Sequence, residues 1–103
     1  MAQQQTVDKG KDMAMNRKRI EFWLVAPKAH KVVLSGTFNQ WSESADPMKR
    51  DEDGVWKKTK MLSNGEHEYK LIIDGEWMID PVCIDTALNE YGTLNSVIRL
   101  QTF

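Results

Sequence analysis

Glu66-His67-Glu68-Tyr69-Lys70-Leu71-Ile72-Ile73-Asp74-Gly75-Glu76-Trp77 is the stretch that decides the fold class. Tyr69, Leu71 and Ile73 recur at period two, with Lys70 on the opposite face. That is the pattern of a strand lying with one face on a core. Asp74-Gly75 has the residues of a tight two-residue turn, so residues 76–79 start a second strand. Asp80-Pro81 ends it, because proline cannot donate to a sheet ladder. Upstream, Ser63-Asn64-Gly65 is a hairpin signal that joins this stretch to a strand over residues 55–62. A turn at Asp51-Glu52-Asp53-Gly54 and a short strand over residues 48–50 precede it. Residues 31–36 (KVVLSG) form a β-branched strand. Before them, Ile20, Phe22 and Leu24 alternate with Glu21, Trp23 and Val25 in another. Downstream, residues 82–92 read as irregular and residues 96–100 as a closing strand. Short strands at roughly ten-residue spacing, separated by turn signals, predict an all-β sandwich or barrel of about seven antiparallel strands. No sustained 3.6-residue apolar period calls for a helix longer than a turn.

The rest of the composition bounds the function. The chain has 103 residues, enough for one domain with one core. Its formal net charge is −1, which lacks the positive field of a nucleic-acid binder. No apolar run approaches the roughly 20 residues that span a bilayer, and the first ten residues lack the apolar core of a secretory signal. The one cysteine, Cys83, excludes an internal disulfide. Together these features place the protein in the cytoplasm, with no nucleic-acid or membrane partner. Residues 1–19 are polar, hold no aromatic and end on Arg17-Lys18-Arg19. They bury too little apolar surface to offset ordering, so they are expected to form a flexible tail ahead of a domain over residues 20–103.

Four separated pieces carry a family resemblance. They are Val33-Leu34-Ser35-Gly36-Thr37-Phe38-Asn39-Gln40-Trp41, residues 65–77 (GEHEYKLIIDGEW), Asp80-Pro81, and Gly92-Thr93-Leu94-Asn95-Ser96-Val97-Ile98. In this order they resemble carbohydrate-binding module family 48. That family includes the glycogen-binding domain of the AMP-activated protein kinase β subunit and the N-terminal domains of branching and debranching enzymes. The resemblance implies an immunoglobulin-like sandwich that binds α-1,4-glucan without catalysis. It also implies that Trp41 and Trp77 stack on sugar rings, with Lys70, Thr93 and Asn95 at the hydroxyls. Tyr91 matches the position of a residue that pierces the helical sugar chain. That residue is usually aliphatic, so Tyr91 departs from the pattern.

The residues themselves fit this chemistry. A tryptophan presents an electron-rich face to sugar C–H groups, while amino, hydroxyl and amide groups pair with the ring hydroxyls. Trp41 lies in a polar loop and Trp77 follows a tight turn, neither a typical core position. Trp56 lies mid-strand and is expected in the core, and Trp23 carries no functional expectation. His30 and His67 lack partners at metal spacing, and Cys83 lacks the surroundings of a nucleophile. The acids Asp51, Asp53, Asp74 and Asp80 fall in turns, where Asp stabilises the turn itself. No cofactor, metal or catalytic residue is expected. A regulatory protein-interaction module of the same fold, with weak or no sugar binding, is the alternative.

Overall fold

The computed structural model describes residues 17–101. Among them are eight strands: β1 (Arg17–Val25), β2 (Val32–Gly36), β3 (Lys49–Arg50), β4 (Val55–Ser63), β5 (Gly65–Ile73), β6 (Glu76–Met78), β7 (Thr86–Leu88) and β8 (Leu94–Leu100). A single 3₁₀ turn spans Thr37–Asn39. The strands form two antiparallel sheets, one ordered β1-β4-β3 and one ordered β2-β5-β8-β7 with β6 also on β5. The all-β sandwich expected from the strand spacing is what the chain forms.

The core lies between the sheets. Phe22, Leu24, Trp56 and Leu62 face inward from the three-stranded sheet, and Val32, Leu34, Tyr69 and Leu71 from the other. Burying one such side chain contributes roughly 1.5–3 kcal/mol. Phe22 meets Tyr69 edge-on at 5.0 Å between ring centres. The polar ends of the buried rings are paired, as burial requires. Trp56 Nε1 donates to the Ala26 carbonyl at 2.9 Å, and the Tyr69 hydroxyl donates to Asp80 Oδ2 at 2.7 Å. Burial and the adjacent Asp80 carboxylate push the Tyr69 phenol far above its ordinary range. Trp56 is therefore the core tryptophan that its position predicted.

Three local expectations change. Ser63-Asn64-Gly65 is a corner between sheets and not a hairpin. The strand before it pairs along its whole length with β1, from Arg17↔Ser63 to Val25↔Val55, while β5 pairs with β2, β6 and β8. A hairpin there would put two inward faces on one sheet, with nothing to close the core between them. Residues 82–92 contain a strand, β7, paired to β8 by Thr86↔Ser96, Ala87↔Asn95 and Leu88↔Leu94. It lacks apolar alternation because Thr86 and Leu88 are exposed, so only the backbone ladder marks it. Arg17-Lys18-Arg19, expected in the tail, starts β1 by pairing with the end of β4. Charges there suit an edge strand, since they oppose pairing with a further chain. The rest of the expected tail, residues 1–16, lies outside the described residues.

One edge of β5 positions the site. Its first half (Gly65 to Tyr69) pairs with β8 and its last residues (Leu71 to Ile73) pair with β6, while β2 takes the opposite edge. The turn after β7 and the short strand β6 are thereby set beside each other on one sheet.

Candidate functional site

The first wall is the loop after β2. Gly36 ends that strand against β5, where a Cβ would lie 2.5 Å from the Glu68 carbonyl oxygen and 2.8 Å from Tyr69 Cβ. Only glycine allows so close a backbone approach. Phe38 then drops onto Phe22, with ring centres 5.9 Å apart. Asn39 holds the loop together. Its Oδ1 accepts from the Gly36 N–H at 3.0 Å, and its Nδ2 donates to the Leu34 carbonyl at 3.1 Å and to Asp46 Oδ2 at 2.8 Å. Asp46 is buried, with Lys60 at 3.1 Å and Lys58 at 3.7 Å. Burial works to raise its pKa, but the Asn39 amide and the two lysines outweigh it and hold the carboxyl below its ordinary range. Gln40 and Trp41 both adopt left-handed backbone, at φ 56° and 57°. For non-glycine residues that costs roughly 1–3 kcal/mol each. The Asn39 anchor and the Trp41 N–H donating to the Gly36 carbonyl at 2.9 Å hold this conformation and turn the Trp41 side chain outward.

The second wall is the β5–β6 hairpin. Asp74 and Gly75 have φ of 50° and 89°, which suits the twist of a two-residue hairpin. The Asp74 carboxylate accepts from the backbone N–H groups of His30 and Lys31, both at 2.8 Å. These two bonds hold it below the usual carboxylate range. Trp77 pairs opposite Ile72, which puts it on the same outer face as Lys70. The Trp41 and Trp77 ring centres are 6.4 Å apart and their planes are inclined by 47°.

The third wall is the turn between β7 and β8. Asn89 Oδ1 accepts from the backbone N–H groups of Tyr91 (2.9 Å) and Thr93 (3.1 Å). Its Nδ2 donates to Thr93 Oγ1 at 2.7 Å and to Asn95 Oδ1 at 3.0 Å. Asn95 Nδ2 donates onward to Glu68 Oε1 at 2.9 Å. Lys70 Nζ donates to Thr93 Oγ1 at 3.0 Å, tying β5 to the turn. Gly92, at φ 82°, closes the turn and leaves Tyr91 at its tip, 83% exposed.

The three walls enclose one open hollow of about 660 Å³, lined by Trp41, Lys70, Trp77, Tyr91, Thr93 and Asn95. All six residues singled out in the sequence meet there. Asn95 is buried, and its amide bonds to Asn89 and Glu68. Glu68 and Asn89, which lie outside the set expected from the sequence, also line the hollow. Glu68 shares the alternation of Lys70 on β5, and Asn89 opens an Asn-x-x-Gly turn, so each carried a weak signal. Among the described residues no group of three or more His, Cys, Asp or Glu side chains could hold a metal ion. No helix among them is long and apolar enough to cross a membrane.

The chain is similar to known proteins. The family model for the glycogen recognition site of AMP-activated protein kinase matches residues 20–103. The human 5'-AMP-activated protein kinase subunit beta-2 is 32% identical over 99 residues, covering 96% of this chain and 35% of that protein. The pig subunit beta-1 is 36% identical over 70 residues, covering 68% of this chain and 54% of that protein. Protein PTST homolog 2, chloroplastic, of Arabidopsis thaliana is 41% identical over 54 residues, covering 52% of this chain and 10% of that protein. The chain thus spans about a third of the length of the human kinase subunit.

Proposed function

The chain belongs to the family of the AMP-activated protein kinase glycogen recognition site, and from that premise we propose that it is a non-catalytic module that binds α-1,4-glucan such as glycogen, starch or maltooligosaccharide. The supporting observation is the tryptophan pair: two indoles 6.4 Å apart, inclined by 47°, in one hollow with Lys70 and Thr93. Inclined platforms suit a glucan whose successive rings turn, since each indole meets the C–H face of a different part of the curve. Lys70 has N–H donors beyond the one it gives Thr93, and these suit sugar hydroxyls. Tyr91 at the turn tip packs against the chain from the open side.

The site is open and its direct contacts are few, so a dissociation constant in roughly the micromolar to millimolar range is expected, about −4 to −8 kcal/mol. Isothermal titration with maltoheptaose tests this. Saturable binding supports the reading, and a flat titration at millimolar sugar contradicts it. The cytoplasmic setting expected from the sequence belongs to the same proposal; one of the relatives carries a chloroplast name.

A second reading, docking of a protein partner, is favoured by a different observation. Trp23, Val25 and Met61 are exposed on the outer face of the three-stranded sheet, on the far side of the core from the hollow. The two readings concern different faces and are compatible.

A further inference from the structure

We infer that Asn89 is a positioning residue that makes the Thr93 hydroxyl a one-way hydrogen-bond donor into the hollow, so that the glucan must present an acceptor oxygen there. The inference rests on the glucan reading and adds a polarity to it.

Backbone N–H groups can only donate, and two of them, from Tyr91 and Thr93, point at one oxygen of the Asn89 side chain. That atom is therefore the carbonyl oxygen, and the other terminus of the amide is the nitrogen, with two hydrogens to give. One goes to Thr93 Oγ1 at 2.7 Å and the other to Asn95 Oδ1 at 3.0 Å. Every donor and acceptor position of Asn89 is thus taken by the protein, and it has nothing left to read a sugar.

The consequence falls on Thr93. A hydroxyl has two lone pairs and one hydrogen. One lone pair takes the Asn89 N–H and the other takes the Lys70 ammonium at 3.0 Å, also an obligate donor. With both lone pairs filled, the hydroxyl can engage a ligand only by giving its hydrogen. Thr93 is exposed and lines the hollow between Lys70 and the turn tip. The same chain of donors runs from Asn89 through Asn95 to the Glu68 carboxylate, which fixes the Asn95 amide in one orientation. Such coupled bonds reinforce one another.

A substitution separates this role from a merely structural one. Asn89→Asp keeps an oxygen to accept both backbone N–H groups, so the turn retains its closure. The other carboxylate oxygen no longer donates to Thr93; it accepts, and it captures the hydroxyl hydrogen that would have gone to the sugar. The test is isothermal titration of the whole chain with maltoheptaose, with melting temperature as the control for folding. Asn89→Asp is expected to bind about tenfold more weakly, as for the loss of one hydrogen bond of about 1.4 kcal/mol, with a cooperative melting transition kept and its midpoint lowered only modestly by the lost bond to Asn95. In a Thr93→Val background it should cost much less, because the bond that the two residues share is already gone and only the bond from Asn89 to Asn95 is left to lose. Thr93→Ser should bind as the wild type does, and Thr93→Val should lose about tenfold by the same bond. Folded Asn89→Asp with wild-type affinity, an equal loss in the Thr93→Val background, or Thr93→Val binding as well as wild type would each overturn the inference. A wild-type chain that does not bind maltoheptaose contradicts the glucan reading itself, and this inference falls with it.

Discussion

Both sheets expose tryptophan on their outer faces, and the two faces are built differently. Trp23, on the three-stranded sheet, is 43% exposed, and Trp77, on the five-stranded sheet, is 41% exposed. Exposure alone does not separate them. Trp23 sits mid-strand opposite Lys57, with its neighbours held flat by the ladder. Trp77 sits on the short strand β6, and two other segments fold toward it: a loop with consecutive left-handed residues, and a turn wired by Asn89. An aromatic becomes part of a site when non-adjacent segments converge on it with polar groups. The strained backbone at Gln40 and Trp41 belongs to that convergence, since strain is kept where the surrounding structure enforces it.

The largest expected effect breaks or sustains this contrast directly. Trp41→Ala and Trp77→Ala should each weaken maltoheptaose binding by roughly 2 kcal/mol or more, about thirtyfold, as removal of a central aromatic anchor does. Trp23→Ala should leave affinity unchanged. Equal losses at all three positions would show that exposure, and not convergence, makes the site.

Gly36→Ala comes next. Its Cβ would meet backbone oxygen at 2.5 Å, so the loop or β5 must shift. A loss of about 1–3 kcal/mol in stability is expected by chemical denaturation, with weaker sugar binding because the Trp41 loop moves. Wild-type affinity would mean that the loop is set from elsewhere.

Asp46 sharpens the same point through pH. Its carboxyl titrates below its ordinary value of 3.8 in the folded chain. A lowered folded pKa gives stability that is present above the unfolded value and is lost as pH falls through the folded one. Asp46→Asn should therefore cost about 1–2 kcal/mol near neutral pH and little once the wild-type carboxyl is protonated. Denaturation curves at both pH values check this. A constant difference between the two proteins would contradict the charged link from Asp46 to Lys58 and Lys60.

The smallest effect belongs to Ser35, whose buried hydroxyl has no hydrogen-bond partner among the described residues. Ser35→Ala should change stability by no more than about 0.5 kcal/mol and is as apt to raise it as to lower it, because an unpaired polar group is removed. A large loss in thermal denaturation would reveal a partner for that hydroxyl.

Strand by strand, the fold was largely legible because one face of most strands is buried, and burial writes itself as alternation. Phe22 and Leu24 or Tyr69 and Leu71 show it directly. Where pairing is decided by a distant edge, local signals mislead. Ser63-Asn64-Gly65 has turn chemistry, yet β4 and β5 find their partners elsewhere. Thr86–Leu88 has no buried face to write, so its strand was invisible. The site shows the same division. Trp41, Lys70, Trp77, Tyr91, Thr93 and Asn95 lie in motif pieces that the sequence displays, and they line one hollow. Asn89 acts through four hydrogen bonds to its neighbours, and such wiring has no period or composition to read.

The four tryptophans provide their own most direct test, since each indole N–H gives a separate signal in a proton–nitrogen correlation spectrum. On titration with β-cyclodextrin, the signals of Trp41 and Trp77 should shift together and saturate, while those of Trp23 and core-bound Trp56 stay in place. A saturable shift at Trp23 with Trp41 and Trp77 unmoved, or four signals that do not move at all, would contradict the account.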